Sequence, residues 1–409
     1  MVIFTTMALG TYTIIILLST VVIVSYLFSL FSKKTNIPSV LLLIATGIAI
    51  KQFSAHLWYN EPAVNKLVKI LGAIGIIMII LEAALDLKIT RQKVKLIRDS
   101  FSSALFIFLF SVLGIAVLIM QWLDVPFENS FLYAVPMSII SSAIVIPSTS
   151  HLPEDKKDFI IYESSFSDII GILVFNYMIM KNILSLKSAM IFGGNVLLAV
   201  VISILATVLM IYILTKSRVH VKFFLLFAVL SLIYSLGEMI HLPSLLIVLV
   251  FGLVFNNTSL FSYGPMKRWL DQENIESTLL FMRSITAETS FLIRTFFFIL
   301  FGYSINLQVL ILPDVWQLGS LIMAILLFAR FLYLRLILKT NLFPELFLMP
   351  RGLVTILLFY SIPMEKSLGS FNSGILFFVV AVSSLLMMIG LLLFKENKAE
   401  YHDKSEEVI

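Results

Sequence analysis

The segment Tyr162-Glu163-Ser164-Ser165-Phe166-Ser167-Asp168-Ile169-Ile170-Gly171 places two carboxylates and three serine hydroxyls in an apolar run that continues to about Ile179. A carboxylate at membrane depth is costly unless it is paired or reaches water, so its default meaning is an ion or proton site with a basic partner elsewhere. Residues three and four apart share a helix face. Ser164, Ser167 and Asp168 therefore form one polar stripe, and Glu163 is rotated away from Asp168. Hydroxyls and a carboxylate are hard oxygen ligands suited to a small monovalent cation. The same carboxylate also takes a proton, and competition for one site couples cation and proton movement in opposite directions. The alternative is a structural hydrogen-bond network, which for Glu163 means an ion pair. Two basic partners are at hand, Arg351 in Met349-Pro350-Arg351-Gly352 and Arg294 in Phe291-Leu292-Ile293-Arg294-Thr295.

Arg351 lies in a run interrupted by Pro344, Pro350 and Gly352, and another run is interrupted by Pro136, Ser138, Ser141, Ser142, Pro147 and Ser148. Proline inside a helix frees backbone carbonyls, and unwound backbone at membrane depth is tolerated only inside protein or beside a cavity. Two polar, proline-broken helices at corresponding positions point to a transporter's site. Arg351 either offsets the carboxylate charge there or is locked to Glu163 as a strut. Arg294 does not deprotonate; its partner is open between Asp168, Glu163 and Glu288. Arg330 is expected to snorkel to the interface. Glu82 is expected to line an inner funnel, with Asp86 at the helix end.

The elements that hold these residues follow from composition. The chain has 409 residues, 60% hydrophobic and 13% charged, with mean hydropathy +1.03. Soluble domains run near 45–50% apolar and about 25% charged, so this is an all-α polytopic membrane protein. With no Cys, thiol chemistry and Cys-ligated metals are excluded, and the five His are scattered; no transition metal and no cofactor are expected. The net charge of +5 is carried in loops and does not point to nucleic acid. Apolar runs predict about thirteen transmembrane helices, near 8–31, 38–52, 67–87, 98–120, 129–150, 158–180, 188–215, 221–238, 242–257, 285–307, 315–338, 344–363 and 372–394. The first run is read as a retained helix, not a signal peptide. The longest connection, Asn256 to Arg283, is expected to include an amphipathic surface segment. Residues 1–394 form one transmembrane unit, and 395–409 a short polar tail.

Orientation follows from Lys and Arg. Of the 29, alternate loops hold 20 on one side and 6 on the other, and Arg294, Arg330 and Arg351 lie within helices. The N-terminus is then outside and the C-terminus cytoplasmic. Ile37-Pro38-Ser39-Val40-Leu41, leading to Gly47, echoes Leu242-Pro243-Ser244-Leu245-Leu246, leading to Gly252. Likewise Ile80-Leu81-Glu82-Ala83-Ala84-Leu85-Asp86-Leu87 echoes Leu300-Phe301-Gly302-Tyr303-Ser304-Ile305-Asn306-Leu307. Each pair is seven predicted helices apart, an odd number, so the copies cross the membrane in opposite senses. Inverted repeats mark alternating-access transporters.

With these motifs in order, the chain resembles the monovalent cation/proton antiporter superfamily, and within it the bacterial NhaP-type sodium/proton exchangers. Glu163-Ser164-Ser165-Phe166-Ser167-Asp168 resembles the family's Glu followed four and five residues later by Asn-Asp. Pro350-Arg351-Gly352 resembles its Arg-Gly motif, Leu81-Glu82-Ala83-Ala84-Leu85 its Phe-Glu-Gly-Gly-Leu pattern, and Ile37-Pro38-Ser39 its second-helix opening. The similarity runs from roughly residue 10 to residue 394. It implies thirteen helices with inverted-topology repeats and two crossed broken helices. It further implies a core domain chiefly from 67–180 and 285–394, and a dimerisation scaffold from the remaining helices. By the same resemblance Asp168 binds cation and proton alternately, Glu163 pairs with Arg351, and the transported ions are H⁺ and Na⁺, with Li⁺ or K⁺ as the other cations. Ser164, Ser167, Ser141, Ser142 and Glu82 complete the expected cation and proton site, with Arg294 as a charge modulator. Two departures stand out: Ser167 replaces the usual Asn, and Ser141-Ser142-Ala143 stands where the family often has Thr-Asp-Pro. A single acid at Asp168 implies one proton per cation and electroneutral exchange, in the cytoplasmic membrane of a bacterium, as a homodimer in lipid.

Other classes of membrane protein fit these residues less well. A sodium-coupled organic-anion symporter needs several cationic or polar groups around a large anion, and only Arg294 and Arg351 offer themselves. A non-transporting sensor, a membrane enzyme or a channel lacks an effector domain, a nucleophile–base pair or a recognisable filter. With no soluble regulatory domain in the sequence, a pH response falls to membrane or loop residues such as the His151–Asp158 loop.

Overall fold

The computed structural model describes residues 11–35, 37–53, 61–149, 152–180, 185–216, 222–240, 242–258, 272–339 and 342–394. His151 and the tail 395–409 lie outside the described residues. Within the described residues every regular element is helical: α1 Thr11–Thr35, α2 Ser39–Phe53, α3 Glu61–Asp86, α4 Val94–Leu123, α5 Phe127–Ser138, α6 Ser142–Ser148, α7 Glu154–Met178, α8 Leu186–Lys216, α9 Lys222–Met239, α10 Ser244–Asn256, α11 Gln272–Ser304, the single turn α12 Leu307–Leu310, α13 Pro313–Leu332, α14 Leu353–Tyr360 and α15 Ser373–Leu393. Among them, six stretches are long and apolar enough to cross a membrane; one of these is α5 and α6 taken together. α11 starts at Gln272, well before the expected 285, so the end of the expected connection from Asn256 to Arg283 is helix.

The expected breaks are present. The run 129–150 is α5 and α6 separated by the extended Ile139 and the β-region Ser141. The run 344–363 is helical only from Leu353, after a 3₁₀ turn at Glu345–Phe347. Prolines at 136 and 147, and at 344 and 350, bracket these gaps, as a missing N–H and a ring clash dictate.

The sequence repeat has a packing counterpart. α2 packs along α11, and α10 packs along α3. Gly47 of α2 meets α11 so closely that an added Cβ would sit 2.0 Å from Ile299 O, while a Cβ added to Gly302 of α11 would sit 2.2 Å from Ile44 O. Gly252 of α10 meets α3 in the same manner, 2.6 Å from Ala84 Cβ. Small residues allow backbones this close, and in a membrane such packing takes the place of the hydrophobic drive between helices. The helices at the echoed positions therefore pair crosswise, each repeat's Pro-Ser helix on the other repeat's partner.

Candidate functional site

The two gaps meet. Ser141 N–H donates to Pro350 O at 2.9 Å, so each unwound strand satisfies the other. Arg351 fills the remaining need: its guanidinium donates to Met137 O at 2.8 Å, Met349 O at 2.5 Å and Ser138 O at 3.4 Å, and its backbone N–H donates to Ser383 Oγ. These carbonyls have lost their helical partners, and buried backbone groups without a partner are costly. Gly352 lies directly under Ser141, whose Oγ would be 2.5 Å from a Cβ there; a side chain at 352 would push the strands apart.

α7 crosses this junction and supplies Asp168, 5% exposed. Its Oδ2 accepts from Ser142 Oγ at 2.5 Å and Ser142 N–H at 3.3 Å, both at the first turn of α6. Oδ1 has no protein hydrogen bond, and neither has Ser141 Oγ nor Thr355 Oγ1 on α14. Ser167 Oγ accepts from Ile140 N–H at 2.9 Å and so ties the gap to α7. Ser164 does not turn toward Asp168; it donates to Ile161 O of its own helix. A cavity of about 360 Å³ opens on Asp168 between α3, α7 and α10, and is otherwise mostly apolar, with Ile80, Ile172 and Leu249 in its wall.

Glu163 faces elsewhere, and here the strut expectation needs correction. Glu163 pairs with Arg330, not Arg351. Arg330 Nη1 and Nη2 donate to the two Glu163 oxygens at 3.0 and 2.7 Å, both side chains are 0% exposed, and Ser103 Oγ adds a third bond at 2.5 Å. Arg330 Nε donates to Glu345 O at 2.6 Å. The expected snorkelling of Arg330 is overturned for the same reason: its side of α13 faces protein, and an unpaired Glu163 between α4 and α7 would be far costlier than a buried arginine. The signal was present in the sequence, since an arginine within an apolar run calls for a partner as much as an acid does. Ser103 and the pair of Lys156 with Glu345 were not foreseen.

Arg294 also finds its partners. Nη2 donates to Glu82 Oε1 at 3.3 Å, and Nη1 to Ala143 O in α6 at 3.1 Å. It contacts neither Asp168 nor Glu163 through a hydrogen bond. A second cavity, about 440 Å³, is lined by Arg294, Thr295, Ser39 and Ser148.

Asp168 is thus a buried acid at the meeting of two broken helices, with one carboxylate oxygen unpartnered. Residues 17–395 match the family of transmembrane sodium/hydrogen exchangers. The chain belongs to that family. Two structures of the sodium proton antiporter MjNhaP1 from Methanocaldococcus jannaschii share its fold. One, determined at pH 8, has a TM-score of 0.71 at 19% identity and covers 93% of this chain and 100% of its own. The other, an electron-microscopy map, has a TM-score of 0.70 at 18% identity, with 94% and 95% coverage. No curated protein matches the sequence significantly. The chain shares the fold of these antiporter structures over nearly its whole length.

Proposed function

We propose that the chain exchanges a monovalent cation, Na⁺ first among Na⁺, Li⁺ and K⁺, for H⁺, with both competing for Asp168. The observation that carries this reading is the unpartnered Oδ1 of a buried carboxylate that no arginine neutralises through a hydrogen bond. Such a group must be matched by a cation or a proton, since an isolated buried carboxylate is prohibitively costly. Ser142, Ser141 and Thr355 supply neutral oxygens around it, and Ser167 and Arg351 hold the strands that present them. Ser164 serves the helix instead. One exchangeable charge supports electroneutral one-for-one exchange. Arg294, held by Glu82, supports a modulating role through α6, because it grips the carbonyl next to Ser142. The core assigned to 67–180 and 285–394 would carry the site past a scaffold of the remaining helices, in a homodimer in the cytoplasmic membrane with the N-terminus outside.

The test is dissipation of a pH gradient in proteoliposomes on adding Na⁺, Li⁺ or K⁺, with and without a valinomycin clamp of the potential. The expected result is a cation-selective response that the clamp leaves unchanged and that Asp168→Asn abolishes in folded protein. Exchange that persists in Asp168→Asn refutes the reading, and a clamp-sensitive response refutes electroneutrality.

A further inference from the structure

The Glu82–Arg294 pair sits at the end of a polar seam between α3 and α11. On α11, Arg283, Thr286, Ser290 and Arg294 recur at helical spacing and share one face. On α3, Asp86 and Glu82 are four apart. Arg294 binds Glu82, Ser290 lies beside the same carboxylate, and Arg283, whose Nη2 donates to Asn256 Oδ1 at 2.6 Å, is the leading counter-charge of Asp86. Thr286 lies on the same face of α11, between Arg283 and Ser290.

The hydroxyls of Thr286 and Ser290 are unusual. Both residues are fully buried, and neither oxygen makes a hydrogen bond of good geometry. Serine and threonine within helices commonly bond back to the carbonyl one turn earlier. Thr289, on a different face of the same turn, does so to Ile285 O at 2.8 Å. Thr286 and Ser290 forgo that bond on the side that carries acids. Asp86, at the end of α3, is exposed, whereas Glu82 is largely enclosed.

We propose that this seam is a proton path, Asp86 to Thr286 to Ser290 to Glu82, and that Glu82 is a second proton-loading site, distinct from Asp168. It rests on the exchange reading above. A proton leaves the Asp86 carboxyl and reaches the Glu82 carboxylate; each hydroxyl accepts one proton and releases one, so nothing else is consumed. Hydroxyls one turn apart are about 6 Å from each other, a gap that one bridging water spans. The charges facing the path are Arg294 and Arg283 on α11 and Lys157 on α7. α6, α10 and α14 bring no charged side chain, and Lys51 of α2 is committed to Ile305 O. Loading Glu82 removes the charge that holds Arg294. Arg294 keeps Ala143 O, one residue from the Ser142 that binds Asp168, so proton arrival on the seam is felt at the cation site.

The experiment compares native protein with Thr286→Val/Ser290→Ala and with the hydroxyl-preserving Thr286→Ser/Ser290→Thr, each in proteoliposomes across pH. The valine/alanine variant is expected to lose about a hundred-fold or more in maximal exchange rate, the lower end of the range ascribed to positioned proton transfer, with its cation KM unchanged. The hydroxyl-preserving variant is expected to keep the native rate. Infrared difference spectra between acid and alkaline pH are expected to show a protonated-carboxyl band that Glu82→Gln removes while the Asp168 band remains. Native rate and pH profile in the valine/alanine variant, or no band assignable to Glu82, overturns the proposal. If the valine/alanine variant does not fold, the infrared result decides it alone. Failure of the exchange reading is distinct: it requires that native protein show no cation-driven proton movement, or that Asp168→Asn retain it.

Discussion

Replacing Arg330 with Met tests the central buried ion pair. The substitution removes both bonds to the Glu163 oxygens and the bond from Nε to Glu345 O, and leaves Ser103, among the described residues, as the one hydrogen-bond partner of a carboxylate with no exposure. Breaking a buried pair by deleting one partner costs about 3–5 kcal/mol, whereas replacing both partners with apolar groups of similar volume is often close to neutral. Glu163→Leu/Arg330→Met should therefore recover most of the loss. The coupling energy between positions 163 and 330 should be about 3 kcal/mol. Between 163 and 351 it should be well below that, because Arg351 spends its donors on backbone carbonyls and reaches Glu163 only through space. The assay is a double-mutant cycle on thermal unfolding in detergent. A 163–351 coupling larger than the 163–330 coupling would refute the pairing.

Four further outcomes follow from the geometry. Gly47→Ala should lower stability by about 3 kcal/mol or more, because the new methyl meets main chain that cannot rotate away. Gly193→Ala, with open space around its Cα, should raise stability by up to about 1 kcal/mol through helix propensity; both are read by thermal unfolding. Ser142→Ala should raise the cation KM by about ten-fold, equivalent to 1.4 kcal/mol, by loosening Asp168, while leaving the clamp insensitivity intact in proteoliposomes. Asp158 hydrogen-bonds Lys93 and holds its ammonium above the usual lysine range. That support is complete below the ordinary lysine pKa and disappears only as pH rises through the elevated one. At a third-exposed pair it amounts to at most about 1 kcal/mol. Asp158→Asn should therefore lower the unfolding temperature slightly and evenly across neutral pH, with the difference from native protein vanishing at strongly alkaline pH.

The fold was legible because it is written in one-dimensional signals. Hydropathy marks the helices, and the paired prolines mark the two gaps. The echo of Pro38-Ser39 with Pro243-Ser244 falls on α2 and α10, which pack on α11 and α3 respectively. Asp168 was legible as a candidate because an acid in an apolar run calls for a partner or an ion. Partner choice was not. Glu163, Arg294, Arg330 and Arg351 are all intramembrane charges, and which ones meet depends on helix rotation and depth that spacing alone does not set. The resemblance assigned Glu163 to Arg351, but the loss of helical hydrogen bonds at Met137 and Ser138 makes stronger demands on that guanidinium. Thr355 and Ser290 were invisible for a related reason: a hydroxyl in an apolar helix normally bonds its own backbone, and only three dimensions reveal one that does not.

The grip of Arg351 on Met137 O has a consequence for biosynthesis. Those two residues are 214 positions apart. While the ribosome is still adding the intervening helices, the carbonyls at the end of α5 have no donor, and hydrocarbon offers none. The first half of the chain therefore cannot seal its broken helix by itself. It must wait, sheltered by the insertion machinery or by water, until the second half arrives. Chains that end before residue 351 should be recognised as incomplete and degraded, however well their individual helices have inserted.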